Sequence, residues 1–219
     1  MGFTIGIREL RTGARRRARA AAGTTEVAEY TGLWGWAVVP GARVSAGVCS
    51  CGDGGCPAPG AHPLEFAREV PAGATLDAVT RAWAEVPGAS VMLPAGRSFD
   101  VLDVAEAAGR RALVRMERMG LPLGPVAVTP RGRAQFFVAP GAADELPGLL
   151  YRMGWDDAGL DLRALGRGSH ITAPPSDLGG SGPVRWLRPP GLDGATPPEA
   201  RLLLGTLAYL SHRWAAPLG

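Results

Sequence analysis

The chain has 219 residues, of which 46% are hydrophobic and 20% charged, with 23 basic residues against 20 acidic ones. Such values suit a globular protein with one main domain. No apolar run approaches the ~20 residues of a bilayer-spanning helix, and three cysteines exclude a disulfide-built scaffold. Every basic residue is arginine, beside abundant Ala, Gly and Pro, so arginine content reflects composition and says little about function.

Residues 1–22 carry Arg8, Arg11, Arg15, Arg16, Arg17 and Arg19, opposed only by Glu9. This basic arm is read either as a solvated terminus or as a nucleic-acid contact. Ala18, Ala20, Ala21 and Ala22 are too few and too weakly hydrophobic for a secretory signal, so a cytoplasmic protein is expected. From Thr24 the pattern of a capping Thr, early acids and apolar Val27, Ala28, Tyr30 and Leu33 predicts a helix. A short strand over 36–39 stops at Pro40, and a loop rich in Gly, Cys and Pro runs to Pro63.

All three cysteines, Cys49, Cys51 and Cys56, lie in that loop with His62 close behind. Three thiols and an imidazole make a tetrahedral zinc set, and Gly52, Gly54 and Gly55 let a short loop wrap an ion. The spacing is not the common paired Cys-x-x-Cys knuckle, and free thiols in a surface loop are the other reading. Four protein ligands would close the coordination sphere, so the expected role is structural.

Beyond the loop, residues 75–86 form an amphipathic helix pattern, 89–93 a strand, and 94–97 a turn into a second strand, which together predict a hairpin leading to Asp103. In that second strand Asp100 and Asp103 interrupt the apolar run Phe99, Val101, Leu102, Val104. A carboxylate in a buried strand requires a partner. Either Asp103, Ala105 or Glu106 opens the following helix, with Asp as a cap, or the carboxylate serves catalysis or metal binding. The helix over 105–119 is followed by strands over 126–129 and 134–139, whose joining turn carries Arg131 and Arg133, two cations suited to phosphate or to no specific task. A helix over 142–153, a second Asp within an apolar run at Asp161, a strand over 169–173 bearing His170, a strand over 184–187 and a C-terminal helix over 198–214 complete the chain. A single His such as His170 is more often a structural residue than a catalyst.

Several of these pieces fall in one order: Trp-Gly-Trp-Ala-Val-Val-Pro at 34–40, the Cys-Ser-Cys-Gly and Gly-Ala-His-Pro loop, Val-Leu-Asp-Val at 101–104, Thr-Pro-Arg-Gly-Arg at 129–133 and Ala-Pro-Pro-Ser at 173–176. In that order the chain resembles, from about Glu26 to Trp186, the N-terminal domain of bifunctional DNA primase-polymerases, the prim-pol branch of the archaeo-eukaryotic primase superfamily. The resemblance implies an α+β fold whose core is an RRM-like mixed or antiparallel sheet flanked by helices. With the residue patterns, the expected organisation is a basic arm over 1–22, a prim-pol-like domain over 23–190 with the Cys/His loop inserted, and a C-terminal helix over 191–219 packed on it.

It also implies nucleotidyl transfer by two divalent metals, Mg²⁺ or Mn²⁺, held by converging carboxylates, with a His on the phosphates of the incoming nucleotide. By resemblance Asp103 matches the first acid and Asp161 the late acid. Ala105 stands where the second acid belongs, and Gln135 where the His belongs. Asp100 and His170 are the available substitutes, but Asp100, three residues from Asp103, faces the other side of a regular strand. The expected function is therefore a primase/polymerase-like protein of DNA replication or repair that binds nucleic acid or nucleotide with weak or lost turnover. The alternatives are an active enzyme on single-stranded or primed DNA using nucleoside triphosphates, and a protein-interaction module. No helicase region follows in the chain, so a priming enzyme would work with a separate helicase. No membrane partner is expected.

Overall fold

The computed structural model describes residues 24–156, 158–178, 181–191 and 195–215, so the basic arm over 1–22 lies outside the described residues. In chain order the elements are α1 (24–32), β1 (Val39–Gly41), β2 (Val44–Ser45), β3 (Val48–Cys49), α2 (Leu76–Glu85), β4 (Ser90–Pro94), β5 (Asp100–Ala105), α3 (Glu106–Arg118), β6 (Val126–Thr129), β7 (Arg133–Val138), α4 (Ala142–Arg152), β8 (Leu162–Leu165), β9 (His170–Ala173), β10 (Arg185–Arg188) and α5 (Ala200–Ala215). Among the described residues no helix is long and apolar enough to cross a membrane.

The run β5-α3-β6-β7-α4-β8 is a split βαβ unit repeated as βαββαβ, and its strands lie in the order β8-β5-β7-β6, with β10 added beside β6. Every pairing is antiparallel. This is the RRM-like order expected from the resemblance. Alternation along β5 divides its side chains between two cores. Leu102 and Val104 point towards a core made with Met116 of α3 and Leu203, Leu204 and Leu207 of α5. Val101 points the other way, into a core with Trp36, Phe99, Phe137, Leu93 and Ile171. The second core lies against the smaller sheet β1-β4-β9. Its aromatic rings interlock, with Phe99 and Phe137 centroids 4.6 Å apart and Trp36 stacked 5.4 Å from Phe137.

Local chemistry accounts for the boundaries. Thr75 caps α2, its side-chain oxygen accepting from the Ala78 N–H at 3.4 Å. In α3 a glycine is required by contact: a Cβ on Gly109 would lie 2.4 Å from the Ala134 Cβ, so its absence lets the helix sit close on β7.

Four expectations change. The strand read over 89–93 and the one before Asp103 do not form a hairpin, because β4 pairs with β1 and β9 while β5 pairs with β7 and β8. The chain crosses between sheets at Gly96 (φ +91°), where a Cβ would lie 2.5 Å from the backbone of Arg167. Asp103 is not a helix cap: the N-cap of α3 is Ala105, which makes no side-chain cap bond, and Asp103 lies two residues earlier in the strand. Finally, Asp161 is followed by a strand of its own, β8, and the Cys-rich loop contains the small hairpin β2–β3.

Candidate functional site

On the face of the larger sheet that carries Phe99 and Val101, β7, β5 and β8 present their side chains in register. Val101 lies opposite Phe137 and Leu165, and all three join the aromatic core. One step along that face, Asp103 lies opposite Gln135 and Arg163. A further step brings Ala105 opposite Arg133, with Asp161 just ahead of β8. The row thus passes from apolar to charged as the sheet emerges from beneath its cover.

Asp103 is completely buried, whereas Asp161 is 50% exposed. Arg133 joins them. Its Nε donates to Asp103 Oδ1 at 2.7 Å, and its Nη1 donates to Oδ1 and Oδ2 of Asp161, each at 2.7 Å. Arg163 Nε donates to the same Asp103 Oδ1 at 3.1 Å, and Gln135 Nε2 donates to Asp103 Oδ2 at 3.1 Å. Burial opposes the Arg133 charge, but the hydrogen bonds from Asp161 and Asp103 outweigh it and hold the guanidinium above the ordinary arginine range. In this arrangement each oxygen of both carboxylates already accepts from a donor. Ala105, opposite Arg133, has no functional group and offers no third carboxylate. A divalent cation would have to displace the guanidinium of Arg133 and would find two carboxylates rather than three, so the residues as arranged do not fit it.

Asp100 lies on the opposite face. Its Oδ2 accepts from the Ala143 N–H at 2.9 Å, at the start of α4, where the N-cap Gly141 has no side chain to do so. The unbroken register of β5 against β7 keeps Asp100 and Asp103 apart. His170 is in the smaller sheet, paired with Pro94. Burial holds it below the usual histidine range, with Glu69 raising and Arg97 lowering it further. Neither belongs to the Asp103 cluster. Arg131, at the tip of the β6–β7 hairpin, donates to the Pro59 carbonyl at 3.2 Å and so ties the hairpin to the Cys/His loop.

That loop brings together all four residues singled out in the sequence. The ligand atoms of Cys49, Cys51, Cys56 and His62 lie within 4.8 Å of one another, compared with the sulfur–sulfur edge of about 3.8 Å in a tetrahedron of Zn–S bonds. Cys49 ends β3, and its Sγ is 3.4 Å from His62 Nε2. Asp53 Oδ1 accepts from the Gly55 N–H at 2.8 Å and closes the turn before Cys56. His62 Nδ1 donates to the Pro63 carbonyl at 2.9 Å, which leaves Nε2 as the lone-pair nitrogen aimed at the thiols. Burial raises the Cys49 thiol, but the backbone N–H groups of Cys51 and Gly60, and the His62 ring when protonated on Nε2 in the metal-free loop, lower it more, to about 6. The four residues can hold a metal ion.

Sequence reasoning missed Arg163 and the inward turn of Arg133. Both have a signal of period two: Arg133 and Gln135 share a face of β7, and Asp161, just ahead of β8, stands two residues before Arg163.

Comparison with known proteins gives no match among curated proteins and none among solved structures. The family model described as "Bifunctional DNA primase/polymerase, N-terminal" matches residues 27–200. That span covers β5, β7 and β8 and the Cys/His loop. The chain belongs to the bifunctional DNA primase/polymerase N-terminal family.

Proposed function

We propose that this chain is a non-catalytic nucleic-acid- or nucleotide-binding module on the primase/polymerase scaffold, with a role in DNA replication or repair and a structural zinc ion in its Cys/His loop. The observation that carries this reading is the Arg133 bridge between Asp103 and Asp161. Two-metal transfer needs carboxylates free to bind cations that activate the attacking hydroxyl and neutralise the triphosphate. Here a covalently attached cation occupies that electrostatic role permanently, and no third acid stands at Ala105 to help a metal ion compete. Asp100 is committed to α4, which disfavours a rearranged active site.

Zinc suits three thiols and one imidazole better than a hard cation does, because its borderline softness matches sulfur. The test of the binding reading is fluorescence anisotropy of a labelled single-stranded oligonucleotide, with magnesium and then in magnesium-free buffer without chelator. Binding unchanged by the omission is expected, since Arg133 rather than a divalent ion neutralises the two acids. Binding that requires magnesium would overturn the reading.

A further inference from the structure

The Cys/His loop leads directly into a turn that holds an aromatic ring out of the protein. Phe66 is 72% exposed, the most exposed large apolar side chain among the described residues. Its backbone is not loose. Pro63 bridges to Gly41, the Leu64 N–H donates to the Pro40 carbonyl at 3.1 Å, the Ala67 N–H donates to the Leu64 carbonyl at 3.0 Å, and Val70 bridges to Val38. Leu64 is buried with Ala42 and Cys49, so the turn is fastened to the metal loop while the next aromatic side chain but one is left in solvent.

Three grooves meet at Phe66. One, of about 390 Å³, runs between this turn and α2 and carries Arg68 and Arg81. A second, of about 200 Å³, carries Arg43, and a third, of about 510 Å³, borders Cys51 and Cys56. Arg43, Arg68 and Arg81 are exposed, and among the described residues none of the three side chains makes an ion pair or a hydrogen bond. This sets them apart from Arg97, Arg110, Arg133, Arg163, Arg188 and Arg201, each paired with a carboxylate. Of the acids on the two arginine-bearing grooves, Glu69 is taken by Arg97 in a two-pronged pair and Glu85 remains, while Asp53 and Glu65 lie on the third groove, towards the Cys/His loop and lined by none of the three arginines.

A flat apolar ring with unclaimed guanidinium groups around it matches a planar base between phosphates. We infer that Phe66 is a stacking platform for an unpaired base of a single-stranded nucleic acid, with Arg43, Arg68 and Arg81 contacting the flanking phosphates. The inference rests on the nucleic-acid reading above and adds to it a site separate from the Asp103 cluster. Because every base has a π face, this contact tolerates sequence and leaves selection to other elements.

The test is anisotropy of labelled oligo-dT and oligo-rU of equal length, with the full chain and its Phe66→Ala, Phe66→Trp and Arg68→Ala/Arg81→Ala variants. Phe66→Ala should weaken binding about tenfold, Phe66→Trp should retain it, and an abasic strand should erase the difference between wild type and Phe66→Ala. The double arginine variant should reduce the slope of log affinity against log salt by about 1.4, two phosphates' worth for a single strand. The stronger of the two strands shows which nucleic acid is preferred, and oligo-dU against oligo-rU isolates the sugar. Wild-type binding that Phe66→Ala changes less than twofold, with an unaltered salt slope in the arginine variant, overturns this site alone. Failure of the wild type to bind either strand overturns the nucleic-acid reading as well.

Discussion

The Nε of Arg133 lies 2.7 Å from Oδ1 of Asp103, a carboxylate with no exposed surface. An isolated charge there would lose most of its hydration, and the guanidinium compensates for this in a plane that also suits Asp161. Substituting Arg133→Met removes the closest cation and leaves Arg163 and Gln135 as the remaining donors to Asp103. Breaking a buried pair from one side is costly, so chemical denaturation should show a loss of about 3 kcal/mol. A loss under about 1 kcal/mol, the range of exposed ion pairs, would mean that the bridge is superficial.

Asp100 has a structural task that can be separated from any chemistry. It serves α4 from a neighbouring strand, replacing the side-chain cap that Gly141 cannot provide. Asp100→Ala should therefore cost about 1–2 kcal/mol, as loss of an N-cap does, and leave nucleic-acid affinity unchanged. A changed affinity with unchanged stability would place Asp100 in the binding site instead.

The Cys/His centre makes a prediction in pH. Metal binding requires deprotonated ligands, and in the folded chain Cys49 is held at about 6, well below the ordinary thiol range. With the folded value depressed, the thiolate is kept at neutral pH and is lost as pH falls through about 6. Purified protein should contain one zinc per chain by elemental analysis, retain it at pH 7 and release it below pH 6. Chelation should lower the melting temperature, and Cys51→Ser should do the same without chelator. Metal-free protein with three freely titrating thiols would contradict the zinc reading.

Much of the fold was legible because the patterns were local. Alternation in 126–129 and 134–139 and the 3.6-residue period of 105–119 reflect one-sided burial, which composition records directly. Partnership between strands is not local, and so β4 and β5, neighbours in sequence, have the pattern of a hairpin although they sit in different sheets. The strand β8 escapes notice for a different reason: it is only four residues long, Leu162–Leu165, so the alternation of Leu162 and Ala164 with Arg163 is too brief to stand out.

The Cys/His loop is readable from ligand type and clustering, despite an uncommon spacing, since its ligands are close in sequence and in space. In the carboxylate site the acids could be placed by resemblance, but their partners could not. Arg133 looked like an exposed turn residue until the register of β7 put it on the same face as Gln135, two residues away and opposite Ala105. The cation that distinguishes this site was therefore visible only as a period-two coincidence between three strands.

The most direct measurement is primer extension with Mn²⁺ and labelled deoxynucleoside triphosphates on a primed single-stranded template, comparing the full chain with Asp103→Asn alongside an active polymerase. No extension above background is expected from either form, because Arg133 holds both acids and Ala105 supplies no third one. Extension by the wild type that Asp103→Asn abolishes would show that metal ions displace the guanidinium, and would contradict a non-catalytic site.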